Sequence, residues 1–535
     1  MKRCLLICIA LAACTPDPET SKTTAAPVPP DSTPQASARI DVALTHDYEL
    51  INEQRQWRNR AASTLPTKGG DPFRGQPATV PLLPALPEIA DDSVFLRRAC
   101  IDLAGRLPKP DEARAFLADK SSAKRAKLTE ALVREPGAAD VRFRMLAEAF
   151  RVKDGDETIG WLRTAAAEDR PYADIVAYMI GGGHMRQRDQ DNAIRTSVET
   201  AYTVLGEDLY CAMCHDHPFN DHTQRECYEF AACFAGKNDV RLPADYRYTN
   251  GEPGSVVPAV ALRLRGGWWT HLRDDEDQLT QISHWMVEDE QSRRFALVAS
   301  LRVWNSLFGM PGQMVDKTIG GVDEAPPWHG IHRKPILNNI SNDCFSASPR
   351  GQSTWVGLEI NSPADFTQGT KVLIEEFLRC GGRLGEFQRI LARTEAYQRS
   401  GIDYNTDWNG CYLAPAPQIR RLPSEVIWKV VSGEFDLQIP QVPNTGHPLR
   451  MLGRGTREWT DESLTPVSHE LVRFMMNDKL VAQATVKARN SDEMFLEFLG
   501  RNPTQDESAA ISRRTASKED VTWALLNTRE FMFRP

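Results

Sequence analysis

Residues 91–112 read DDSVFLRRACIDLAGRLPKPDE and contain the start of two helices. The pair Asp92-Ser93 can cap a helix whose apolar side chains recur over residues 94–101. Pro110 then starts a second helix, because proline is tolerated in a first turn and the acidic residues after it favour the positive helix end. Helical patterning of this kind continues over most of the chain. The sequence therefore predicts a mainly α-helical fold.

The same stretch brings four charged residues close together. Arg97, Arg98, Asp102 and Arg106 lie on or just after the first predicted helix. Side chains three or four positions apart share one helix face, so these groups can form an ion-pair network. We expect this network to brace the first part of the fold.

Strand-like patterning is confined to the middle of the chain. Residues 246–248, the turn Asn250-Gly251 and residues 256–264 are typical of short strands joined by a hairpin turn. The expected architecture is two helical lobes joined by a small β-hairpin region. Its parts are a helical domain over 41–240, a small β-containing connector over 241–290 and a helical C-terminal domain over 291–535.

The N-terminus has the pattern of a secretory signal that ends in a lipid attachment site. A basic start precedes the apolar run 4–13, which is too short to span a bilayer. Residues 11–14 (LAAC) resemble a bacterial lipobox, so residues 1–14 are predicted to be a lipoprotein signal peptide and Cys14 the lipid-carrying residue. A signal peptide without lipid is the alternative. Residues 15–40 are rich in Pro, Thr, Ser and Ala, and we expect a disordered tether there.

These signals predict an exported protein whose membrane contact is its N-terminal lipid. Thr15, and not an aspartate, follows Cys14. In bacterial lipoproteins a residue other than aspartate after the lipid-carrying cysteine favours the outer membrane, and we expect this protein to face the periplasm or the cell surface.

Composition limits the classes of partner. The 535 residues carry a net charge of −8, and an acidic chain is poorly suited to non-specific nucleic-acid binding, so no nucleic acid is expected as a partner. The chain is 41% hydrophobic, which is enough for sizeable cores. After the signal no segment approaches the roughly 20 apolar residues of a membrane span.

Residues 211–215 read CAMCH, the C-x-x-C-H pattern by which c-type haem is attached. On a helix Cys211, Cys214 and His215 stand at i, i+3 and i+4, so their side chains share one face. Two thiols can then bond the vinyl groups of a haem while the imidazole reaches its iron. The sequence therefore predicts haem c as cofactor, with Cys211 and Cys214 as attachment sites and His215 as the proximal iron ligand.

Two other interpretations of this motif remain open. Cys211, Cys214 and His215 could bind zinc or iron as a Cys/His cluster together with His217 or His222, although the adjacent Cys214 and His215 are awkward for tetrahedral closure. Alternatively, a disulfide between the two cysteines could form a local structural clip.

Several spaced segments resemble a known family. Residues 91–112 and 211–235 (CAMCHDHPFNDHTQRECYEFAACFA) are similar to the cytochrome-c-type domain of large secreted proteins abundant in planctomycetes, a family of unknown function. The C-terminal half resembles the domain that usually follows it. The matching segments are 295–309, 394–398, 420–425, 449–459 and 523–533. Two positions depart from the family: His222 replaces a usual Trp, and Leu301 replaces a usual Asn.

The resemblance implies an exported, haem-associated and mostly helical protein without a known reaction. Together with the CAMCH motif it predicts a lipoprotein that carries covalent haem c, serves electron transfer or a redox step, and has a redox protein as partner. The alternative is a non-redox scaffold or binding protein, for polysaccharide or a secreted partner, in which the motif is a metal site or a disulfide clip. The residues do not decide whether the protein is an enzyme.

Overall fold

The computed structural model describes residues 32–64, 82 and 85–534, apart from a set of internal gaps. The longer gaps are 263–271, 289–293, 310–367, 403–415, 433–439, 455–468 and 485–489. The shorter ones are 183, 186–188, 208, 218–221, 237, 274–275, 441, 445, 483 and 515.

The described residues form 22 helices and one small antiparallel sheet of two strands, so the predicted mainly α fold is confirmed. The helices before the sheet are α1 Ser32–Thr64, α2 Asp92–Ala104, α3 Pro110–Ala118, α4 Lys124–Leu132, α5 Pro136–Ala149, α6 Ile159–Ala167, α7 Tyr172–Val176, α8 Gln190–Thr200, α9 Gln224–Ala232, α10 Gln278–Glu288, α11 Arg294–Phe308, α12 Gln368–Arg379, α13 Leu384–Ala392 and α14 Glu395–Gln398. The remaining elements are β1 Arg420–Arg421, α15 Ser424–Ser432, α16 Pro448–Met451, α17 His469–Asn477, α18 Lys479–Ala482, α19 Ser491–Leu499, α20 Gln505–Arg514, α21 Lys518–Leu526, α22 Arg529–Met532 and β2 Phe533–Arg534.

Helix α2 shows why residues 91–112 fold as they do. Asp91 caps the helix by accepting a hydrogen bond from the backbone N–H of Val94 at 2.9 Å, so the cap lies one residue before the predicted pair. Every residue from Phe95 to Ala104 is buried, and the helix ends at Gly105 with φ = +62°. Glycine adopts this left-handed conformation without the steric cost that a Cβ imposes.

Two hydrophobic cores divide the described residues. The first runs from Ala36 to Tyr397 and also takes in Leu496. The second runs from Leu422 to Phe531 and takes in Ile101 of α2. The change of core therefore lies near residue 420 and not at the expected lobe boundary of 290, because α11 to α14 pack with the helices that precede them.

The buried arginines of α2 bind backbone carbonyl groups of distant segments. Arg97 donates to the carbonyl groups of Phe498, Phe531 and Phe533 at 2.7–3.2 Å. Arg98 donates to that of Arg399 at 2.8 Å. The charged side chains of 97–106 were predicted to pair with one another, but they pair with residues outside this segment. Asp102 pairs with Arg534, and Arg106 pairs with Glu112 and Glu135.

Helix α1 begins at Ser32, nine residues before the expected helical domain, which was placed from residue 41. Ala36 and Ile40 are buried in the first core, and the Ser37 hydroxyl donates to the carbonyl of Ile390 at 2.8 Å. Residues 32–40 are therefore helical, and the predicted tether over 15–40 is wrong for this last part. Packing against α13 explains the difference, because composition alone does not reveal a distant partner. Residues 1–31, with the signal peptide and Cys14, lie outside the described residues.

The connector pairs its backbone differently from the predicted hairpin. The N–H of Leu242 donates to Ser255, and that of Val257 donates to Val240, both at 2.9 Å. Residues 240–242 thus pair with 255–257, while residues 246–248 lie in the turn between them.

Three aspartates from the first part of the chain cap helices that follow much later. Their carboxylates accept hydrogen bonds from backbone N–H groups at the starts of α12, α13 and α14. The contacts are Asp47 with Gln368 and Gly369, Asp169 with Gly385 and Glu386, and Asp41 with Glu395 and Ala396, at 2.6–3.1 Å.

Replacing Asp169 by alanine should lower the free energy of unfolding by about 2 kcal/mol, because two partly buried N–H groups of α13 lose their acceptor. Alanine is also strained at this position, where φ is +48°. Asp169→Asn keeps an oxygen acceptor and tolerates positive φ, so its free energy of unfolding should fall clearly less than that of Asp169→Ala. Urea denaturation of both variants measures the difference, and equal losses would show that capping is not the cause.

Candidate functional site

The CAMCH motif occupies one helical turn. Cys211–Met213 form a 3₁₀ turn, and the N–H groups of Cys214 and His215 both donate to the carbonyl of Cys211 at 3.1 Å. Cys211 and His215 are half-buried, and Cys214 is exposed. The turn therefore carries the two thiols and the imidazole within five residues of the chain.

The imidazole of His215 has a defined hydrogen-bond partner. Its Nδ1 lies 2.8 Å from the backbone carbonyl oxygen of Asp216. A carbonyl oxygen can only accept a hydrogen bond, so Nδ1 carries a proton, and in the neutral imidazole Nε2 then carries the lone pair. Histidines that bind metals are commonly oriented in this way, with one nitrogen donating to a carbonyl and the other facing the metal.

The turn is fixed to helix α9 and to the connector. The N–H of Asp216 donates to the hydroxyl of Tyr248 at 2.9 Å, and the Asp216 carboxylate accepts from the N–H of Gln224 at 2.8 Å. The side chains of Gln224 and Tyr228 both donate to the carbonyl of Met213, at 3.3 and 3.4 Å. The motif is therefore held from two sides by its surroundings.

A buried charged group lies beside the motif. Glu207 is paired with Arg294 of α11, and its second oxygen lies 3.1 Å from Nε2 of His222. Burial alone would raise the pKa of Glu207, but Arg294 and His222 outweigh it and lower that pKa to about 2. The His222 carbonyl in turn accepts from the N–H of His217 at 2.8 Å. The charge pair thus ties α11 to the segment that follows the motif.

A second buried carboxylate behaves in the same way. Glu425 of α15 pairs with Arg454 and lies 3.3 Å from Arg144 of α5. Burial would raise the pKa of Glu425, but the two arginines lower it to about 2. Both carboxylates are therefore ionised at neutral pH and stabilise the fold through their arginine partners.

Acid should destabilise the protein through these two carboxylates. A carboxylate whose pKa falls on folding adds stability above its unfolded pKa of 4.5, and this stability is lost as pH falls towards about 2. The loss is on the order of 3 kcal/mol for each group. Urea denaturation between pH 6 and pH 3 follows the first part of this loss, about 2 kcal/mol for each group. Glu207→Gln should flatten this pH dependence, and an unchanged slope would contradict the assignment.

The thiols of the motif are not joined. Cys211 and Cys214 are both thiols in the structure, and Cys227 of α9 is a buried thiol nearby. Burial, with a smaller contribution from Cys214, raises the pKa of Cys227 to about 12. Within the described residues no three His, Cys, Asp or Glu side chains converge as a metal site would require.

The residues present fit a c-type haem better than a protein-only metal cluster. A zinc site needs about four protein ligands, whereas a haem supplies its own ring nitrogens and needs one histidine and two thiols from the motif. Cys211, Cys214 and His215 provide this set, and the Nε2 lone pair of His215 is the one that an iron would accept. His217, the alternative ligand, has its backbone bound to His222.

The sequence did not indicate the supporting residues of this site. Glu207 and Arg294 are 87 positions apart, and Asp216 and Tyr248 are 32 apart. Pairings at such separations leave no periodic pattern. His222 was the one available signal, because its departure from the family falls at a position that proves to contact a buried carboxylate.

Comparison with known proteins supports part of the expected resemblance. Residues 84–202 match PSCyt2, a family described as a protein of unknown function (DUF1549). The match ends before Cys211 and covers less than a quarter of the chain. No curated protein matches the chain, and no solved structure matches it. Over helices α2 to α8 the chain is therefore similar to PSCyt2, which is consistent with a planctomycete-type two-domain family of unknown function.

Proposed function

We propose that this protein is an exported lipoprotein that carries one covalently bound c-type haem and serves electron transfer or a redox step. Cys211 and Cys214 hold the haem through thioether bonds, and Nε2 of His215 binds the iron. The haem supplies a centre that gains and loses single electrons. A redox protein is the expected partner.

The observation that carries the proposal is the hydrogen bond between His215 and the Asp216 carbonyl. The Nδ1–H of His215 donates to this carbonyl at 2.8 Å, on the same turn as both thiols. In the neutral imidazole this bond leaves the Nε2 lone pair as the one that can bind an iron. The chain's contribution is to orient the imidazole and to fix its proton on Nδ1.

The lipid on Cys14 would keep this redox centre close to a membrane. No helix in the described part of the chain has the length and apolar character of a membrane span. Residues 15–31 separate Cys14 from α1, and a fully extended segment of that length reaches about 60 Å. The anchor therefore allows the folded part to meet partners at the outer membrane, either in the periplasm or at the cell surface.

Metal analysis of the purified protein tests the proposal against its rival, a non-redox scaffold. The protein should be produced in a host that attaches c-type haem to its own cytochromes. We expect one iron per chain, retained after denaturation and dialysis. Zinc in place of iron, or no metal at all, would favour the scaffold with the motif as a structural cluster. Cys211→Ala with Cys214→Ala is the matched control.

A further inference from the structure

We propose that Asp216 is a positioning residue for His215, held in place by Tyr248, by the start of α9 and by the backbone bond between His217 and His222. It fixes the Nδ1–H tautomer and the ring orientation of His215 before any haem arrives. The part of this inference that concerns the iron rests on the proposed function. The tautomer itself is a property of the haem-free chain.

Three hydrogen bonds hold Asp216, each through a different group. Its carbonyl accepts from Nδ1 of His215 at 2.8 Å, and its N–H donates to the Tyr248 hydroxyl at 2.9 Å. Its carboxylate accepts from the N–H of Gln224 at 2.8 Å. The Asp216 carbonyl belongs to the Asp216–His217 peptide, whose N–H donates to the His222 carbonyl at 2.8 Å. A rotation of that peptide would break this bond, so the carbonyl is kept facing the imidazole.

The partners of Asp216 are themselves fixed. Helix α9 begins with a capping box. The backbone N–H of Thr223 donates to the Glu226 carboxylate at 2.8 Å, and the backbone N–H of Glu226 donates to the Thr223 hydroxyl at 3.2 Å. The Tyr248 ring packs edge-on against the ring of Tyr246, with 5.5 Å between their centres. The acceptor for His215 is therefore set by two elements that do not belong to the motif.

Loss of this support has a predictable electronic effect. A hydrogen bond from Nδ1–H raises the basicity of the imidazole, and a more basic ligand stabilises the oxidised iron. Without a fixed acceptor the reduction potential should rise. This effect separates a positioning role from a purely structural one, because a structural role changes only stability.

The first test uses the full chain without haem, produced in a host that lacks c-type haem maturation. Histidine ¹⁵N NMR reports the tautomer, and His215→Asn assigns the signal. We expect the wild-type His215 to be held as the Nδ1–H form. Asp216→Ala should release it towards the Nε2–H form, and Tyr248→Phe should do so in part. An unchanged tautomer in both variants would overturn the proposal.

The second test measures the reduction potential of the haem-loaded protein. Asp216→Ala should raise the reduction potential. Asp216→Asn should keep a potential near that of the wild type, because its amide oxygen can still accept from the N–H of Gln224. Asp245→Ala removes an exposed carboxylate from the neighbouring segment and is the matched charge control. If Asp216→Asn shifts the reduction potential as far as Asp216→Ala does, the loss of charge is the cause and the positioning role is wrong. Thermal unfolding confirms that each variant is folded.

Experiment can contradict either the haem function or the positioning role without contradicting the other. A wild-type chain without covalent haem, but with a fixed His215 tautomer, would contradict the haem function and retain the positioning role. Covalent haem with an unfixed tautomer in the haem-free chain would do the reverse.

Discussion

Replacing Cys211 and Cys214 together by alanine should abolish covalent haem completely while the helical fold remains. Both thiols lie on a short turn, and Cys214 is exposed, so their loss leaves no large cavity in the core. The turn keeps its backbone bonds to the Cys211 carbonyl, and its contacts with Gln224 and Tyr228 run through Met213. Haem staining of denatured protein and far-ultraviolet circular dichroism measure the two parts of this prediction.

The nearby Cys227 provides the matched control. It is a buried thiol on α9 and no part of the motif, so Cys227→Ala should lose some stability and keep its haem stain. A double variant that still stains would show that the haem is attached elsewhere. A double variant that is unfolded would instead assign the motif to structure.

Replacing Glu207 by alanine should lower the free energy of unfolding by about 3–5 kcal/mol. The change removes the carboxylate that neutralises the buried Arg294 and accepts from His222. Breaking a buried ion pair is costly because one charge remains in a medium of low polarity. Urea denaturation at pH 7 measures the loss. We also expect slower haem attachment, because Glu207 and His222 hold the segment that follows the motif.

A paired variant separates the charge effect from loss of packing. Glu207→Leu with Arg294→Met removes both charges and keeps most of the volume, so it should recover a large share of the stability that Glu207→Ala loses. A loss below about 1 kcal/mol for Glu207→Ala would contradict the role of this pair.

Local patterns predicted the helices of residues 91–118 well. The helix expected after Asp92-Ser93 is α2 at Asp92–Ala104, and the one expected to start at Pro110 is α3 at Pro110–Ala118. In these cases apolar periodicity and capping residues lie within a few positions of one another, so the sequence carries the information directly.

Long-range packing was beyond prediction. The start of α1 depends on α13, and the assignment of α11 to α14 to the first core depends on helices more than 100 residues earlier. Asp41, Asp47 and Asp169 look like ordinary polar residues until their helices are placed beside them. No single-sequence pattern encodes such contacts.

The candidate site also has local features that the sequence predicts and long-range contacts that it does not. The spacing of Cys211, Cys214 and His215 is local, so their position on one turn followed from the sequence. The acceptor of the His215 proton is a backbone carbonyl, which no residue type reveals. The partners of the Asp216 N–H and carboxylate, which are Tyr248 and the N–H of Gln224, became visible only in the folded chain.

The most direct test of the haem proposal is a haem-stained denaturing gel, with an absorbance spectrum, of the wild-type protein exported by a host that matures c-type cytochromes. We predict stain that migrates with the protein after denaturation, and a haem absorbance band in the native sample. Absence of stain, while a control cytochrome from the same host does stain, would contradict the proposal.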